Sequence, residues 1–511
     1  MSKQDFSQPQ RQSVNGIFLI FFADVAKQFK RFFYALFAPF LSENFRENYS
    51  VYLVAGIIVL VILQFIFSYL SYLKYQFQIQ QKAFIVQKGV IKRSKVEIPF
   101  HRIQNINLQQ NILQQVFGVV GFQIETAGES ASEIKIKALS QTTAKQLKNA
   151  LLEDVKDVLD DAKVVADKNQ DHHHHKDIES KTSSQSTSTL LHLSFGKLLK
   201  VGLSSNYLKG LGLLAVFIGS ISNFVNDILS RFIEVDFNED LVNRLPETLS
   251  FIALVAFVLI SLVFLLTVSL EVIKYFNLKV VRIKNNFEVE YGLFKKVNQV
   301  IKKNKTQVVS FEHNPILRLF KINKVFVSQA SASEITEKQK IGLVGITSEQ
   351  FKEFFEAIFD LNLQQNFVYV HTSFRYMIVL FWRQLPVVLG FGIAGYLLFS
   401  IFAAIAFALL ILIGFSFLNY KIVKKSFIGL NDDVLQIGSG SIHTKLEYVA
   451  LHKIQSVQLK RSIFQRRNDH SDLLIYTASG NISISYLPYQ ESLKLFNFML
   501  YKIESSRLDW I

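Results

Sequence analysis

The sequence of 511 residues contains no cysteine and little charge, and both absences exclude classes of protein. Without cysteine, disulfides, thiolate nucleophiles and Cys-ligated zinc or iron–sulfur sites are excluded. Charged residues make up 19% of the chain and apolar residues 50%, whereas soluble domains usually carry about 25% charge. The 48 Phe and 18 Tyr exclude disorder over the whole length. The composition therefore favours a membrane protein.

Catalytic signatures are missing as well. The sequence has no G-x-S-x-G, no phosphate-binding G-x-x-x-x-G-K-[ST], no H-E-x-x-H and no dinucleotide glycine fingerprint. We therefore expect no enzymatic activity and no cofactor. The long uncharged spans contain no carboxylate, Lys or Arg, which an ion transporter would normally keep there.

Long hydrophobic runs are present, and a membrane-spanning helix needs about 20 apolar residues. Val51–Leu73 and Thr248–Leu270 each supply 23 residues without a charge. Gln384–Tyr420 runs for 37 uncharged residues and, with Met377–Trp382 before it, predicts two helices in a tight hairpin. Gly210–Asn226 is a shorter run that is sufficient if its flanks lie at the interface.

The first apolar stretch, Gly16–Leu41, is interrupted by the charged residues Asp24, Lys27, Lys30 and Arg31. Two interpretations remain open: an interfacial helix followed by a short membrane segment, or a wholly interfacial segment. Residues 1–15 before it are polar, and we expect no cleaved signal peptide.

The charges between the hydrophobic runs predict an orientation. The loop Val225–Thr248 holds two arginines and six acidic residues, a net charge of −4. The polar regions Lys74–Ala150, Lys274–Asp360 and Lys421–Ile511 carry net charges of +7, +6 and +4. Because basic segments stay inside, we expect all three in the cytoplasm of a multi-pass protein of the bacterial inner or plasma membrane. Topology thus accounts for the overall +15, and no nucleic-acid recognition motif is present.

These basic regions are three copies of one pattern. A glycine, a strand-like segment and a glutamine recur at fixed offsets of 203 and 351 residues, as Gly89 and Gln104, Gly292 and Gln307, and Gly440 and Gln455. Each copy reads as short strands with alternating polarity, followed by a closing helix. The closing helices are expected at Thr142–Glu153, Ser348–Phe359 and Glu491–Ile503, with Ser348 as an N-cap.

The blocks IPFHRIQNINLQQNILQQVFGV and ETAG, placed after a hydrophobic run and a basic strand, resemble the bacterial membrane-flanked domain, a bacterial pleckstrin-homology-like (PH-like) family. The resemblance extends from about Gln10 to Ile503 and is weakest in the second copy. It implies membrane α-helical pairs and three PH-like domains, each a small antiparallel β split barrel with a C-terminal helix. It implies no enzymatic activity.

The expected domain limits combine the hydrophobic runs and the repeats. They are a membrane region over 1–73, a first PH-like domain over 74–153, a flexible His/Ser-rich linker over 154–206, a transmembrane pair over 207–273, a second domain over 274–360, a transmembrane pair over 361–420 and a third domain over 421–511. The linker contains the run His172–His175, which is either an incidental solvated tract or a loose metal site.

Basic residues of the first repeat are the candidate ligand contacts. Lys92, Arg93 and Lys95 follow the spanning helix closely, with counterparts Lys295 and Lys296 in the second copy. They either contact anionic lipid headgroups or protect an open strand edge. Strand alternation is expected to place Lys92 on the opposite face from the other two.

The repeated histidines and glutamines each allow a structural and a functional interpretation. His101 and His452 are either structural residues at a strand start or a general base, and the glutamines either bond a neighbouring strand or bind a ligand. The function expected is a scaffold or lipid-sensing platform in envelope maintenance, whose partners are the bilayer, anionic lipid, other membrane proteins or a second copy. The alternative is a transporter or lipid-transfer component gated by the domains.

Overall fold

A computed structural model describes residues 5–37, 50–126, 134–151, 187–205, 210, 212, 245–284, 286–330, 340–361, 366–398 and 400–506. They form three domains of the same design, each with two small antiparallel sheets, a closing helix and a helix pair inserted near its start.

The first domain consists of β1 Gln10–Arg11, α1 Gly16–Phe37, α2 Ser50–Lys74, β2 Gln76–Gln80, β3 Ala83–Lys88, β4 Ser94–Pro99, β5 Ile103–Gln110, α3 Ile112–Val116, β6 Val119–Thr126, β7 Ile134–Ser140 and α4, residues 141–151. Its core lies between the two sheets and α4 and is built on fully buried aromatic rings such as Phe84 and Phe122.

The second domain consists of β8 Thr187–His192, α5 Phe195–Leu203, α6 Leu245–Lys274, β9 Lys279–Ile283, β10 Asn286–Tyr291, β11 Lys296–Lys302, β12 Thr306–His313, α7 Pro315–Leu319, β13 Asn323–Gln329, β14 Ile341–Ile346 and α8 Ser348–Phe359. The expected limits of α8 are confirmed, but its N-cap is Thr347, whose side chain accepts a hydrogen bond from the Gln350 backbone N–H. Ser348 is instead the first helical residue.

The third domain consists of β15 Val368–His371, α9 Tyr376–Leu398, α10 Ile401–Lys425, β16 Phe427–Leu430, β17 Val434–Gly440, β18 Thr444–Ala450, β19 Ile454–Lys460, α11 Ile463–Arg467, β20 His470–Thr477, β21 Gly480–Pro488 and α12 Tyr489–Ser505. The expected hairpin of two long helices is α9 and α10.

Each domain begins with a strand that precedes its helix pair. β1 pairs with β2, β8 with β9 and β15 with β16, so each of these antiparallel pairs is connected through membrane-type helices. The expected domain starts at Lys74, Lys274 and Lys421 therefore omit the first strand of each sheet. Because the partners in the first domain are separated by 64 residues, local patterning gives no sign of this pairing.

Two of the expected segments need correction for this reason. The linker expected over 154–206 is wrong for residues 187–205, where Leu190, Leu191 and Leu193 enter the core of the second domain. Residues 152–186, with the His172–His175 tract, lie outside the described residues. The transmembrane pair expected over 361–420 contains β15, and its second helix continues to Lys425. The Gly210–Asn226 run lies almost entirely outside the described residues.

The repeats coincide in backbone detail. Gly89, Gly292 and Gly440 have φ values of +111°, +110° and +103°. A Cβ at any of them would collide with the backbone carbonyl oxygen three residues later, so the turn requires glycine. The short helices α3, α7 and α11 begin after N-cap residues at equivalent positions, Asn111, Asn314 and Ser462. The side chain of each cap residue accepts a hydrogen bond from a backbone N–H of the helix.

Within the described residues, four helices are long and apolar enough to cross a membrane, by length and composition: Val54–Lys74, Phe257–Lys274, Tyr376–Leu397 and Ile401–Lys425. Of the stretch Gly16–Leu41, the described part Gly16–Phe37 is one unbroken helix, α1. This helix packs along α2, where the Phe21 and Phe65 ring centroids lie 5.5 Å apart. Gln28 donates a 3.0 Å hydrogen bond to Gln64 across the same contact.

The three domains share sheets. β5 of the first domain pairs with β11 of the second, and β12 of the second pairs with β18 of the third. Two seven-stranded sheets therefore cross the domain junctions. Tyr448 of the third domain packs into the core of the second against Phe355. The domains are therefore coupled by backbone hydrogen bonds and apolar contact.

Candidate functional site

The last turn of α2 and the turn between β3 and β4 enclose a cleft of about 580 Å³. Leu70 and Leu73 of the helix form an apolar part of its wall. Gly89 opens the opposite turn, and its left-handed conformation turns the chain back sharply into β4. The cleft therefore lies where a membrane-type helix meets its domain.

Five basic side chains line this cleft: Arg11, Lys74, Lys88, Arg93 and Lys95. They come from β1, α2, β3, the turn before β4 and β4 itself, and all are exposed to solvent. Among the described residues that line the cleft, none is acidic. Glu97 lies 3.7 Å from the Lys95 ammonium, but both side chains are about half exposed, so this pair is weak. We call these five residues the basic cluster.

The basic cluster matches the chemistry of a phosphate group. An arginine guanidinium can donate two parallel hydrogen bonds to phosphate oxygens, and lysine acts as a mobile point charge. Five cations around one cleft repel each other, and a bound anion relieves that repulsion. The leucines beside them offer an apolar surface to the remainder of a lipid molecule.

The three basic residues predicted for the first domain do not all lie at the cleft. Arg93 and Lys95 line the cleft, whereas Lys92 does not. Lys92 is thus separated from the other two, but not by strand alternation, because β4 begins at Ser94 and both Lys92 and Arg93 belong to the preceding turn.

The equivalent turns of the other domains are bound directly to their helices. In the second domain, the Gly292 N–H donates to the Phe276 carbonyl at 2.8 Å, and Leu293 bonds Ile273 at 3.0 Å. Lys295 and Lys296 are exposed beside this closed contact. In the third domain the Lys425 ammonium donates to the Ser441 carbonyl at 2.6 Å, across the place where a cleft would open.

Arg11, Lys74 and Lys88 were not predicted from the sequence as members of the site. The sequence does contain a pattern that marks Arg11, in the strands that precede the helix pairs. The register of β1, β8 and β15 makes Arg11 equivalent to His192 and His371, each followed two residues later by a serine. These leading segments repeat at offsets of 181 and 360, not 203 and 351, so one fixed offset does not find them.

The repeated glutamines mark a shared irregularity. The pairing register shifts at Gln104, Gln307 and Gln455, between β5 and β6, β12 and β13, and β19 and β20. Each is therefore the extra residue of a β-bulge, which bends the strand at the start of the second sheet. Gln307 is fully buried and Gln455 is exposed, while the side chain of Gln104 lies outside the description.

A second cavity of about 500 Å³ lies between the second and third domains. His452 lines it, and burial, together with the charge of Lys453, lowers the pKa of this imidazole against the opposing effect of Asp433. An ion pair between Lys303 and Asp360 lies at the same cavity. The side chain of His101 is outside the description. Within the described ranges, no group of three or more His, Asp or Glu residues is placed to hold a metal ion.

The junction between the first and second domains contains a buried ion pair. The Lys148 ammonium on α4 lies 2.8 Å from a Glu288 carboxylate oxygen on β10 and 2.9 Å from the Asn298 amide oxygen on β11. Burial alone would raise the pKa of Glu288, but the hydrogen bond and charge of Lys148 outweigh it and lower the pKa.

Comparison with known proteins agrees with this architecture. The family model described as bacterial PH domain matches residues 28–155, 228–362 and 384–503, well over half of the chain. A relative in Bacillus subtilis strain 168, the UPF0699 transmembrane protein YdbT, is 20% identical over 435 residues, which are 82% of this chain and 81% of the relative. The expected family and fold class are confirmed: the chain is a membrane protein of the bacterial PH domain family, with three copies of that domain.

Proposed function

We propose that this protein is a non-enzymatic platform that presents three coupled PH-like domains on the cytoplasmic face of a bacterial inner or plasma membrane. Its first domain binds the phosphate of an anionic lipid headgroup in the cleft at the end of α2. The observation that carries this proposal is the basic cluster, five exposed cations around one cleft beside a membrane-type helix.

The attachment of the domains supports a common side of the membrane. In each domain, the glycine turn lies against the end of the second helix of the pair, at Lys74, Lys274 and Lys425. All three domains therefore lie at the same end of their helix pairs. The acidic segment Val225–Thr248 and the three basic domains favour the cytoplasm for that end.

The expected strength follows from the number of cations. A basic residue near an anionic surface contributes about 1 kcal/mol, and Lys95 shares its charge with Glu97. Four effective charges give an upper limit of about 4 kcal/mol. Because 1.4 kcal/mol is a tenfold change, loss of the full charge of Arg93 together with the partly compensated charge of Lys95 is expected to weaken binding by between about 5-fold and about 30-fold.

The test is native mass spectrometry of the full chain, titrated with phosphatidylglycerol or phosphatidylcholine. The variant Arg93→Gln/Lys95→Gln is compared with Lys82→Gln/Lys284→Gln, which removes two exposed cations from turns at the far ends of the β2–β3 and β9–β10 hairpins. Those turns lie about 17 Å along the strands from the helix ends.

Preferential binding of phosphatidylglycerol by the wild type and the control variant, lost in Arg93→Gln/Lys95→Gln, is the expected result. Equal binding of both lipids by the wild type contradicts headgroup recognition. Equal losses in the two variants mean that net charge, rather than the cleft, attracts the lipid.

A further inference from the structure

The two junctions between domains are built by one rule. The first strand of one domain's second sheet pairs with the last strand of the next domain's first sheet, as β5 with β11 and β12 with β18. Lys296 lies opposite Gln110, and Thr444 lies opposite His313. These pairs occupy equivalent repeat positions, because the offsets of 203 and 351 superpose each member on its counterpart. The register is therefore the same at both junctions.

One sheet edge of each of these two kinds has no partner strand within the described chain. β4 is the counterpart of β11 and β18, and β19 is the counterpart of β5 and β12. β4 ends a four-stranded sheet and β19 ends a three-stranded sheet, so neither pairs on its outer edge with any strand of the described chain. The open edge of the first domain is therefore of the kind that pairs, at both junctions, with the kind of edge that is open in the third domain.

Apolar side chains beside these edges show the same difference. Equivalent residues are about half covered at the junctions and open at the two chain ends. In the glycine turn, Ile91 at the open edge is 91% exposed, whereas its counterparts at the junctions, Phe294 and Ile442, are 49% and 52% exposed. In the short helix, Phe464 at the open edge is 77% exposed, whereas Leu113 and Ile316 at the junctions are 40% and 37% exposed. At the first junction, Gln115 of the short helix also donates to the Leu293 and Phe294 carbonyls of the turn, at 3.0 and 2.9 Å.

We propose that the protein associates head to tail with a second copy of itself, through antiparallel pairing of β4 in one copy with β19 in the next. The register of both junctions places Ser94 opposite Lys460 and Lys95 opposite Leu459. The same rule brings Ile91 of one copy beside Phe464 of the other. This surface continues the two interfaces already present within each chain.

Charge does not prevent this pairing. The register also places Arg93 opposite Arg461, but Arg461 is held by its own domain. Its guanidinium lies 3.3 Å from a carboxylate oxygen of Asp469 and 3.8 Å from the ring centroid of Tyr489.

The resulting contact is heterologous, so each added copy presents a new free edge. Because every domain is attached to the bilayer by its helix pair, successive copies must remain at one height above the membrane. The assembly is therefore a ring or a ribbon in the membrane plane.

Engineered cysteines test this contact directly, since the chain has none of its own. Full-length Ser94→Cys and Lys460→Cys chains with different tags are co-expressed, and isolated membranes are treated with a mild oxidant. Opposed residues of antiparallel strands lie within the Cα separation that a disulfide requires. A disulfide-linked dimer carrying both tags is expected, and no dimer from either variant alone.

Two further variants serve as controls. Ser94→Cys with Ser456→Cys moves one thiol four residues, about 13 Å, out of register on the same strand, and no dimer is expected. Glu312→Cys/Lys445→Cys places the equivalent pair at an internal junction, where an intrachain disulfide is expected.

Absence of the mixed dimer, while the internal disulfide forms, overturns the proposal and leaves the open edges to lipid or to another protein. A dimer of Ser94→Cys alone means that like edges meet, which contradicts head-to-tail pairing. Equal crosslinking with Ser456→Cys contradicts the register.

Discussion

Replacement of Lys148 by methionine should loosen the junction between the first and second domains. The Lys148 side chain is 8% exposed and that of Glu288 is 29% exposed, with 2.8 Å between their charged atoms. Removal of one member of a buried pair typically costs 3–5 kcal/mol. Because water reaches part of Glu288, we expect a smaller loss, about 2 kcal/mol, in the free energy of opening.

The assay is amide hydrogen exchange of the full chain in lipid nanodiscs. A loss of about 2 kcal/mol accelerates exchange about 30-fold when the junction closes faster than the opened amides exchange, so that the rate follows the opening equilibrium. The acceleration should appear at the paired residues 108–110 and 296–298 and not at the β12–β18 junction. Lys148→Met/Glu288→Gln should regain most of the protection, because no unpaired charge is left buried.

Unchanged exchange in Lys148→Met refutes the reasoning, since the pair would then contribute nothing to the junction. A double variant that is less protected than Lys148→Met also contradicts it. Acceleration that spreads equally to β12 and β18 indicates global destabilisation rather than a local junction.

Three further outcomes are expected. Gly292→Ala should lower the thermal stability of the chain in detergent, because φ is +110° and the new Cβ meets backbone, whereas Gly56→Ala in open space should not. Because the pKa of His452 is lowered in the folded state, protonation below about pH 6.5 favours the opened junction. The protection of its amides relative to their intrinsic exchange rate should therefore fall as the pH drops below that value, and less so in His452→Asn. Asn419→Leu should lower the thermal stability by about 1 kcal/mol, because it leaves the amide of Gln384 without the two hydrogen bonds of 2.8 and 3.1 Å. The double variant Gln384→Leu/Asn419→Leu should recover part of this loss.

The sequence predicts those parts of the fold that depend on local constraints. Gly89, Gly292 and Gly440 recur because each turn excludes a Cβ, and the fixed offsets between them align the three domains. The apolar stripe of α8 is equally local, and Phe351 and Phe354 are buried as its 3.6-residue period requires.

The leading strands and the junctions could not be predicted from local patterns. β1 has two residues and pairs with a strand beyond two long helices, so neither alternation nor turn residues mark it. The β5–β11 pairing joins residues almost 190 positions apart. The basic cluster is incomplete in the sequence for the same reason, because Arg11 reaches the cleft only through the β1–β2 pairing.

The central claim, that three coupled domains share the cytoplasmic face, is tested most directly by labelling single cysteines with a membrane-impermeant maleimide. The variants Lys82→Cys, Lys284→Cys and Asp432→Cys place one exposed thiol in a turn of each domain. All three should react in inverted membrane vesicles and remain unlabelled in intact spheroplasts, whereas Asp236→Cys in the acidic loop should show the reverse. Labelling of any one domain in intact spheroplasts would contradict the account.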